Sequence, residues 1–190
     1  LSYTSDHMEE GYPGKLRVKV LYTLTSDNAL RIEYMATTDR KTIVNLTNHT
    51  YFNLQGPASS KITDHEVMFN ADQYTPIDST FIPTGEIAAV EGTPFDFTDP
   101  TTIGKRIEAD NQQLKNGKGY DHNWVLNKKG NPPLSLAAKV TEPQSGRVMK
   151  IYTTEPGLQF YSGNFLDGSI IGKQGKAYEH RTGFCMEPQH

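Results

Sequence analysis

Four side chains in this sequence are placed to move protons or hold a polar ligand: His49, Asp121, Gln159 and Glu187. Glu187 ends the run Gly183-Phe184-Cys185-Met186-Glu187, which reads as buried, and Pro188 follows and is expected to halt the ladder there. A carboxylate at the end of an apolar strand is desolvated, which raises its pKa toward the range useful for a base. The same pattern also fits a surface glutamate at a fraying strand end. Asp121 follows Gly119-Tyr120 and fits a turn residue capping Gly119 equally well. Gln159, in Gly157-Leu158-Gln159-Phe160-Tyr161, has nothing distinctive of its own.

Other chemistries lack their patterns. No Walker sequence and no strand-linked G-x-G-x-x-G occurs, and no G-x-S-x-G elbow offers a serine nucleophile. The histidines His7, His49, His65, His122, His180 and His190 form neither an H-x-H nor an H-E-x-x-H pair. Cys185 is the single cysteine, so there is no internal disulfide and no Cys-based metal motif. The expectation is a site with no metal and no cofactor.

The element that must position His49 is the stretch from Thr42 to Gly56. At period two, Val44, Leu46, Phe52 and Leu54 form an apolar set, and Asn45, Thr47, His49, Tyr51, Asn53 and Gln55 form a row of hydrogen-bonding groups. Such a face suits a polyhydroxylated ligand, and equally a solvated strand. Before it, Leu16–Leu24 and Leu30–Tyr34 alternate around Ser26-Asp27-Asn28 as a hairpin, so Thr42–Gly56 reads as the third strand of a meander. Residues 1–14 read as irregular, closing on Glu10-Gly11-Tyr12-Pro13-Gly14. Further strands are predicted at His65–Asn70, Tyr120–Asn127, Leu134–Val140, Arg147–Thr154, Leu158–Phe165 and Thr182–Glu187. Tyr74–Pro100, rich in Pro and Gly, reads as a long ordered connection, and Thr102–Asp110 as the one short helix. On adjacent strand positions His122 faces away from Asp121 and is assigned a structural role. The class is all-β and sandwich-like.

A chain of 190 residues suits one domain, 1–190. The net charge of −3 without like-charge runs argues against nucleic acid. No apolar stretch approaches the ~20 residues of a membrane-spanning helix.

Several segments, in order and along nearly the whole chain, resemble the aldose 1-epimerases, the galactose mutarotases. Asn45–Gly56 matches N-L-T-N-H-[ST]-Y-F-N-L-x-G, and GYDHNWVL (119–126) looks like the family's G-[YF]-D-H-N segment. TEPGLQFYSGNFLDG (154–168) looks like T-x-x-P-x-x-Q-x-Y-[ST]-G-N-x-L, and GFCMEPQ (183–189) is similar to the segment with the catalytic glutamate. EEGYPGKL (9–16) and PFDFTDPTTI (94–103) agree with further family phrases. The resemblance implies a large antiparallel β-sandwich with few or no helices. It implies that Glu187 is the general base at the anomeric hydroxyl, that His49 is the general acid at the ring oxygen, and that Asp121 and Gln159 hold sugar hydroxyls. The substrate would be a free aldose such as galactose or glucose, with no metal or coenzyme.

The family's arginine and second histidine have no matching motif here. The chain is therefore expected to be a section of a mutarotase lacking N-terminal and last-strand parts, cytoplasmic by default. A glycosidase would use an Asp/Glu pair where the match has His and Glu. A phosphosugar epimerase would need clustered basic residues. A non-catalytic sugar-binding domain on the same scaffold would be expected to lack the acid or the base. Tyr51 and Tyr161 are candidates to pack on a sugar's apolar face, and also for ordinary core packing.

Overall fold

The computed structural model describes residues 1–57, 60–128 and 133–190. These fall into two compact units, 1–46 and 47–190.

In the first unit, β1 (Ser2–Ser5), β2 (Leu16–Leu24) and β3 (Leu30–Thr38) form an antiparallel sheet in that order. The predicted hairpin is β2–β3, in unbroken register from Leu16↔Thr38 to Leu24↔Leu30. Asn28 takes the left-handed conformation (φ 61°) that the turn requires. β1 corrects the expectation of an irregular start: its Tyr3 and Thr4 are good strand formers lying against β2, with Ser2 opposite Lys19. The turn signal that follows does hold. Gly14 has φ +90°, and a Cβ there would lie 2.7 Å from Thr38 Oγ1.

In the second unit the strands in chain order are β4 (Tyr51–Phe52), β5 (Glu66–Phe69), β6 (Gln73–Thr75), β7 (Ala88–Ala89), β8 (Thr101–Thr102), β9 (Asp121–Val125), β10 (Ser135–Thr141), β11 (Val148–Thr153), β12 (Gly157–Tyr161) and β13 (Phe184–Gln189). One sheet runs β11-β10-β5-β8 and the other β4-β13-β12-β9-β6-β7, with every pairing antiparallel. Alternation explains their packing. Val67 and Phe69 of β5 point inward, as do Trp124 of β9, Leu158 and Phe160 of β12, and Phe184 and Met186 of β13. The Phe69 ring lies 4.6 Å from Trp124 and 5.5 Å from Phe160, so the two sheets close on an aromatic core. Phe95 and Phe97, from the Pro- and Gly-rich connection, fill the same core, and Phe95 accepts the Trp124 indole N–H at 3.1 Å. The predicted antiparallel sandwich is the observed fold.

Three further expectations change. The short helix α1 lies at Gln112–Gly117, not within 102–110, where only a single 3-10 turn forms at Ile103–Lys105. Its start is set by Asn111, whose side chain accepts from the amides of Gln113 and Leu114, and Lys118 closes it in a left-handed conformation. Thr42–Gly56 is not one strand. Only Tyr51 and Phe52 pair, with Cys185 and Phe184. The residues before them have strand-forming side chains, but no neighbouring backbone pairs with 42–50 among the described residues, and propensity without a partner does not make a ladder. Pro188 does not stop β13: it lies opposite Leu158, and the strand continues to Gln189. β4 pairs only with residues 184 and 185, so 186–189 form an edge on that side, where a missing N–H is tolerated.

Candidate active site

Directly opposed residues of an antiparallel pair share a face, so the register of the six-stranded sheet predicts which side chains meet. Gln159 stands opposite both Asn123 and Glu187, and Tyr161 opposite both Asp121 and Cys185. Gly157 stands opposite Val125 and Gln189, and Cys185 also opposite Tyr51. Asp121, Asn123, Gln159, Tyr161, Cys185, Glu187, Gln189 and Tyr51 therefore lie on one face, and the core residues named above lie on the other. Three of the four sequence candidates are brought together by pairing alone.

His49 joins them from the irregular segment just before β4. Its Nε2 lies 3.5 Å from Glu187 Oε1. The Glu187 side chain is only 12% exposed, while that of His49 is 55% exposed, so the carboxylate is withdrawn from water and the imidazole faces it. Burial pushes the Glu187 carboxyl above the usual range, His49 opposes that shift, and Asp121 adds to it. Asp121 is also raised by burial, against the hydrogen bond it accepts from Gln159 and the pull of His49.

A line of amides fixes the rest. Gln159 Nε2 donates to Asp121 Oδ1 at 2.8 Å. Gln189 Nε2 is shared between Gln159 Oε1 and Asn123 Oδ1, both at 3.2 Å. Gly157 makes room for this: a Cβ on it would lie 2.4 Å from Asn123 Oδ1. Tyr51, Tyr161 and His49 surround the carboxylate with rings, Tyr51 to Tyr161 edge-on at 6.1 Å and Tyr51 to His49 at 5.3 Å. Burial carries the Tyr51 phenol up to about 12, so it stays a neutral hydroxyl. Tyr161 is held by accepting the Phe165 amide at 2.8 Å.

Beneath the face, His122 is completely buried, as its alternation implies. The Asp121 amide donates to its Nδ1 at 3.1 Å, which leaves the proton on Nε2 for Gln113 Oε1 at 3.2 Å. Burial holds its pKa down to about 3. Asn53 and Gln55, expected on the ligand row, have other work. Asn53 Nδ2 donates to the carbonyls of Ser60 and Thr182, and Gln55 Nε2 to Gln144.

Asn123, Cys185 and Gln189 were not singled out in the sequence. Their signal was present as positions two residues from Asp121 and Glu187 on strands already predicted.

This arrangement offers a shielded carboxylate, an imidazole beside it, a hydrogen-bonding floor and aromatic walls. It can accept and donate protons on a neutral polyol. Comparison with known proteins points the same way. The aldose 1-epimerase family model matches residues 1–190. The galactose mutarotase of Homo sapiens is 50% identical over 182 residues, covering 96% of this chain and 51% of the relative. The aldose 1-epimerase of Escherichia coli (strain K12) is 44% identical over 166 residues, covering 87% of this chain and 47% of the relative. A solved aldose epimerase homologue from C. elegans superposes with a TM-score of 0.85 at 32% identity, over 99% of this chain and 55% of that one. The galactose 1-epimerase structure from Lactobacillus acidophilus gives 0.84 at 32% identity, over 100% and 53%. The chain spans about half the length of the curated relatives it matches. Motifs, sandwich and matches along the whole sequence agree, and the chain belongs to the aldose 1-epimerase family.

Proposed function

We propose that this face interconverts the α and β anomers of free aldoses such as D-galactose and D-glucose. Glu187 takes the proton of the anomeric hydroxyl while His49 protonates the ring oxygen, so the C1–O5 bond breaks and the open-chain aldehyde forms. Rotation about C1–C2 presents the other face of the carbonyl. The ring then closes with the two roles exchanged: the glutamic acid returns its proton to O1 and the imidazole takes one from O5. Protons balance within the pair, and no electron acceptor is involved.

The observation that carries this reading is the contact between a largely shielded carboxylate and an exposed imidazole, 3.5 Å apart and open on the imidazole side. Desolvation raises Glu187 and makes it a stronger base than a surface carboxylate. Asp121 and Gln159, bonded to each other, are placed to hold hydroxyls. Tyr51 and Tyr161 are placed to pack on C–H faces of the ring. The ligand is a neutral small molecule, and the reaction draws on no cofactor or metal in this scheme. In the alternative, a non-catalytic sugar-binding domain, sugar would bind without turnover.

Polarimetry on freshly dissolved α-D-galactose tests the proposal, using the full product of the gene beside its Glu187→Gln form. General acid–base assistance of this kind is worth about 10²–10⁴ in rate, so the substituted form is expected to lose that much. Equal rates in the two proteins would remove Glu187 from the chemistry. Sugar binding without catalysis in the unsubstituted protein would establish the binding-domain alternative.

A further inference from the structure

The corner that holds the acid–base pair also carries a thiol. Cys185 precedes Glu187 by two residues on β13, so both side chains leave the strand on the same face. A ring nitrogen of His49, Cys185 Sγ and a Glu187 carboxylate oxygen all lie within 4.8 Å of one another. Ligands of a tetrahedral zinc ion, bound at ~2.0–2.3 Å, stand about 3.3–3.6 Å apart. The His49–Glu187 separation of 3.5 Å is already in that range. With every separation at or below 4.8 Å, the thiol needs to close by no more than about an ångström to reach that spacing.

We propose that His49, Cys185 and Glu187 form a three-ligand site for a soft or borderline divalent cation of the zinc type, and that filling it shuts off the acid–base pair. One imidazole, one thiolate and one carboxylate are ligands that zinc accepts together, leaving its fourth position for water. Magnesium and calcium need six or more oxygens, and the neighbourhood offers too few. Without metal the thiol stays protonated, because burial and the Glu187 and Asp121 carboxylates all raise it. Binding replaces the S–H proton with an S–metal bond and releases that proton to solvent. The imidazole side is the entry path. Once bound, the cation occupies the Nε2 lone pair and the carboxylate oxygen that proton transfer would use. The loss of turnover rests on the anomer-interconversion reading, whereas the binding itself does not.

Cobalt(II) and zinc titrations of the full gene product separate the two. Cobalt should bind one-to-one with a thiolate-to-metal charge-transfer band in the near ultraviolet, and zinc should displace it. Cys185→Ser keeps the side chain's shape but is a poor zinc ligand. It should lose the band and weaken zinc by at least about tenfold, the low end of what even outer-shell changes do to metal sites. His49→Gln, at an exposed position, should weaken zinc similarly and guards against a misfolded Cys185 variant. D-galactose should compete with zinc, and zinc should slow the polarimetric rate far less in Cys185→Ser. Absence of the thiolate band, or equal zinc affinity in all three proteins, would overturn the site. Equal affinity would instead mark binding elsewhere, for example at the exposed His190–Glu155 pair, 3.2 Å apart. The charge-transfer band with an undiminished rate in a catalytically active protein would overturn the proposed blockade alone.

Discussion

Adding one methyl group at Gly157 separates the positioning of the site from the stability of the sheet. Gly157 opens β12 on the site face, and its φ lies outside the left-handed region, so alanine fits the backbone. The difficulty is steric. The new Cβ would stand 2.4 Å from Asn123 Oδ1, 3.1 Å from its Cγ and 3.2 Å from its Nδ2. Ordinary contact begins near 3.4 Å, so the Asn123 amide must retreat by about an ångström. Its bond from Gln189 Nε2, already 3.2 Å, does not survive that movement. Losing a hydrogen bond of this kind costs about 0.5–1.5 kcal/mol. Restricting the unfolded chain by replacing glycine with alanine returns about 0.4–1 kcal/mol. The two nearly cancel, and the net change in unfolding free energy should stay within about 1 kcal/mol.

The sugar-binding floor should not be spared in the same way. Gln189 is the shared donor to Asn123 and Gln159, and Gln159 holds Asp121. Slackening that line loosens two groups proposed to grip hydroxyls while leaving His49 and Glu187 untouched. KM for galactose should rise about 2- to 10-fold, the equivalent of one neutral hydrogen bond, with kcat little changed. Urea unfolding and initial-rate polarimetry on Gly157→Ala, Asn123→Ala and the double variant supply the measurement. In the double variant the collision partner is gone, so the two effects should be non-additive. A loss above about 3 kcal/mol, the upper range for overpacking, would show that Asn123 cannot turn aside. An unchanged KM with intact stability would refute the claim that this line of amides positions Asp121 and Gln159.

Two further outcomes bear on the scaffold. His122 is held neutral with its pKa down at about 3, by burial among Tyr74 and Phe95 beside the uncharged Gln113. Between that value and the ordinary ~6.5 only the unfolded chain takes up the proton, so this contribution is full above pH 6.5 and drains away as pH falls toward 3. Urea midpoints measured from pH 7 to pH 4 should fall less steeply for His122→Gln than for the unsubstituted protein; parallel curves would contradict the assignment. Asn164 is buried, with Nδ2 donating to the carbonyls of Gly117 and Tyr120 and Oδ1 accepting from Ser162. Asn164→Ala should cost about 1–3 kcal/mol, the penalty for buried polar groups left unpaired, read as a lowered urea midpoint, and a change below 0.5 kcal/mol would show that these groups find other partners.

Much of this was legible because a strand pattern is local. The alternation in Leu16–Leu24 can be read from neighbours two apart, and the structure follows it from Leu16 to Val20, beyond which Tyr22 and Leu24 are exposed. The helix was misplaced because its start depends on one cap, Asn111, rather than on a long apolar stripe, and six residues are too few to show a period. The run before Tyr51 was misread for the opposite reason. Its composition favours a strand, but whether a ladder forms is decided by another segment of the chain, which no local pattern records.

The candidate site divides along the same line. Glu187 was legible because it breaks an apolar run, and the sheet does place it where water is scarce. Asp121 and Gln159 were not distinguishable from a turn residue and an ordinary strand amide. What singles them out is register: Gln159 is the residue that stands between Glu187 on one side and Asn123 on the other. Once β12 is in register with both neighbours, an odd-numbered polar residue on any of the three strands falls on the same face, and the even-numbered apolar residues other than Pro188 fall into the core. A one-residue slip of β13 would put Met186 into the site and bury Glu187 against Trp124 and Phe160. The hydrophobic face therefore does more than stabilise the sheet. By making that slip prohibitively costly, burial of Phe184 and Met186 is what holds Glu187 and Cys185 opposite His49.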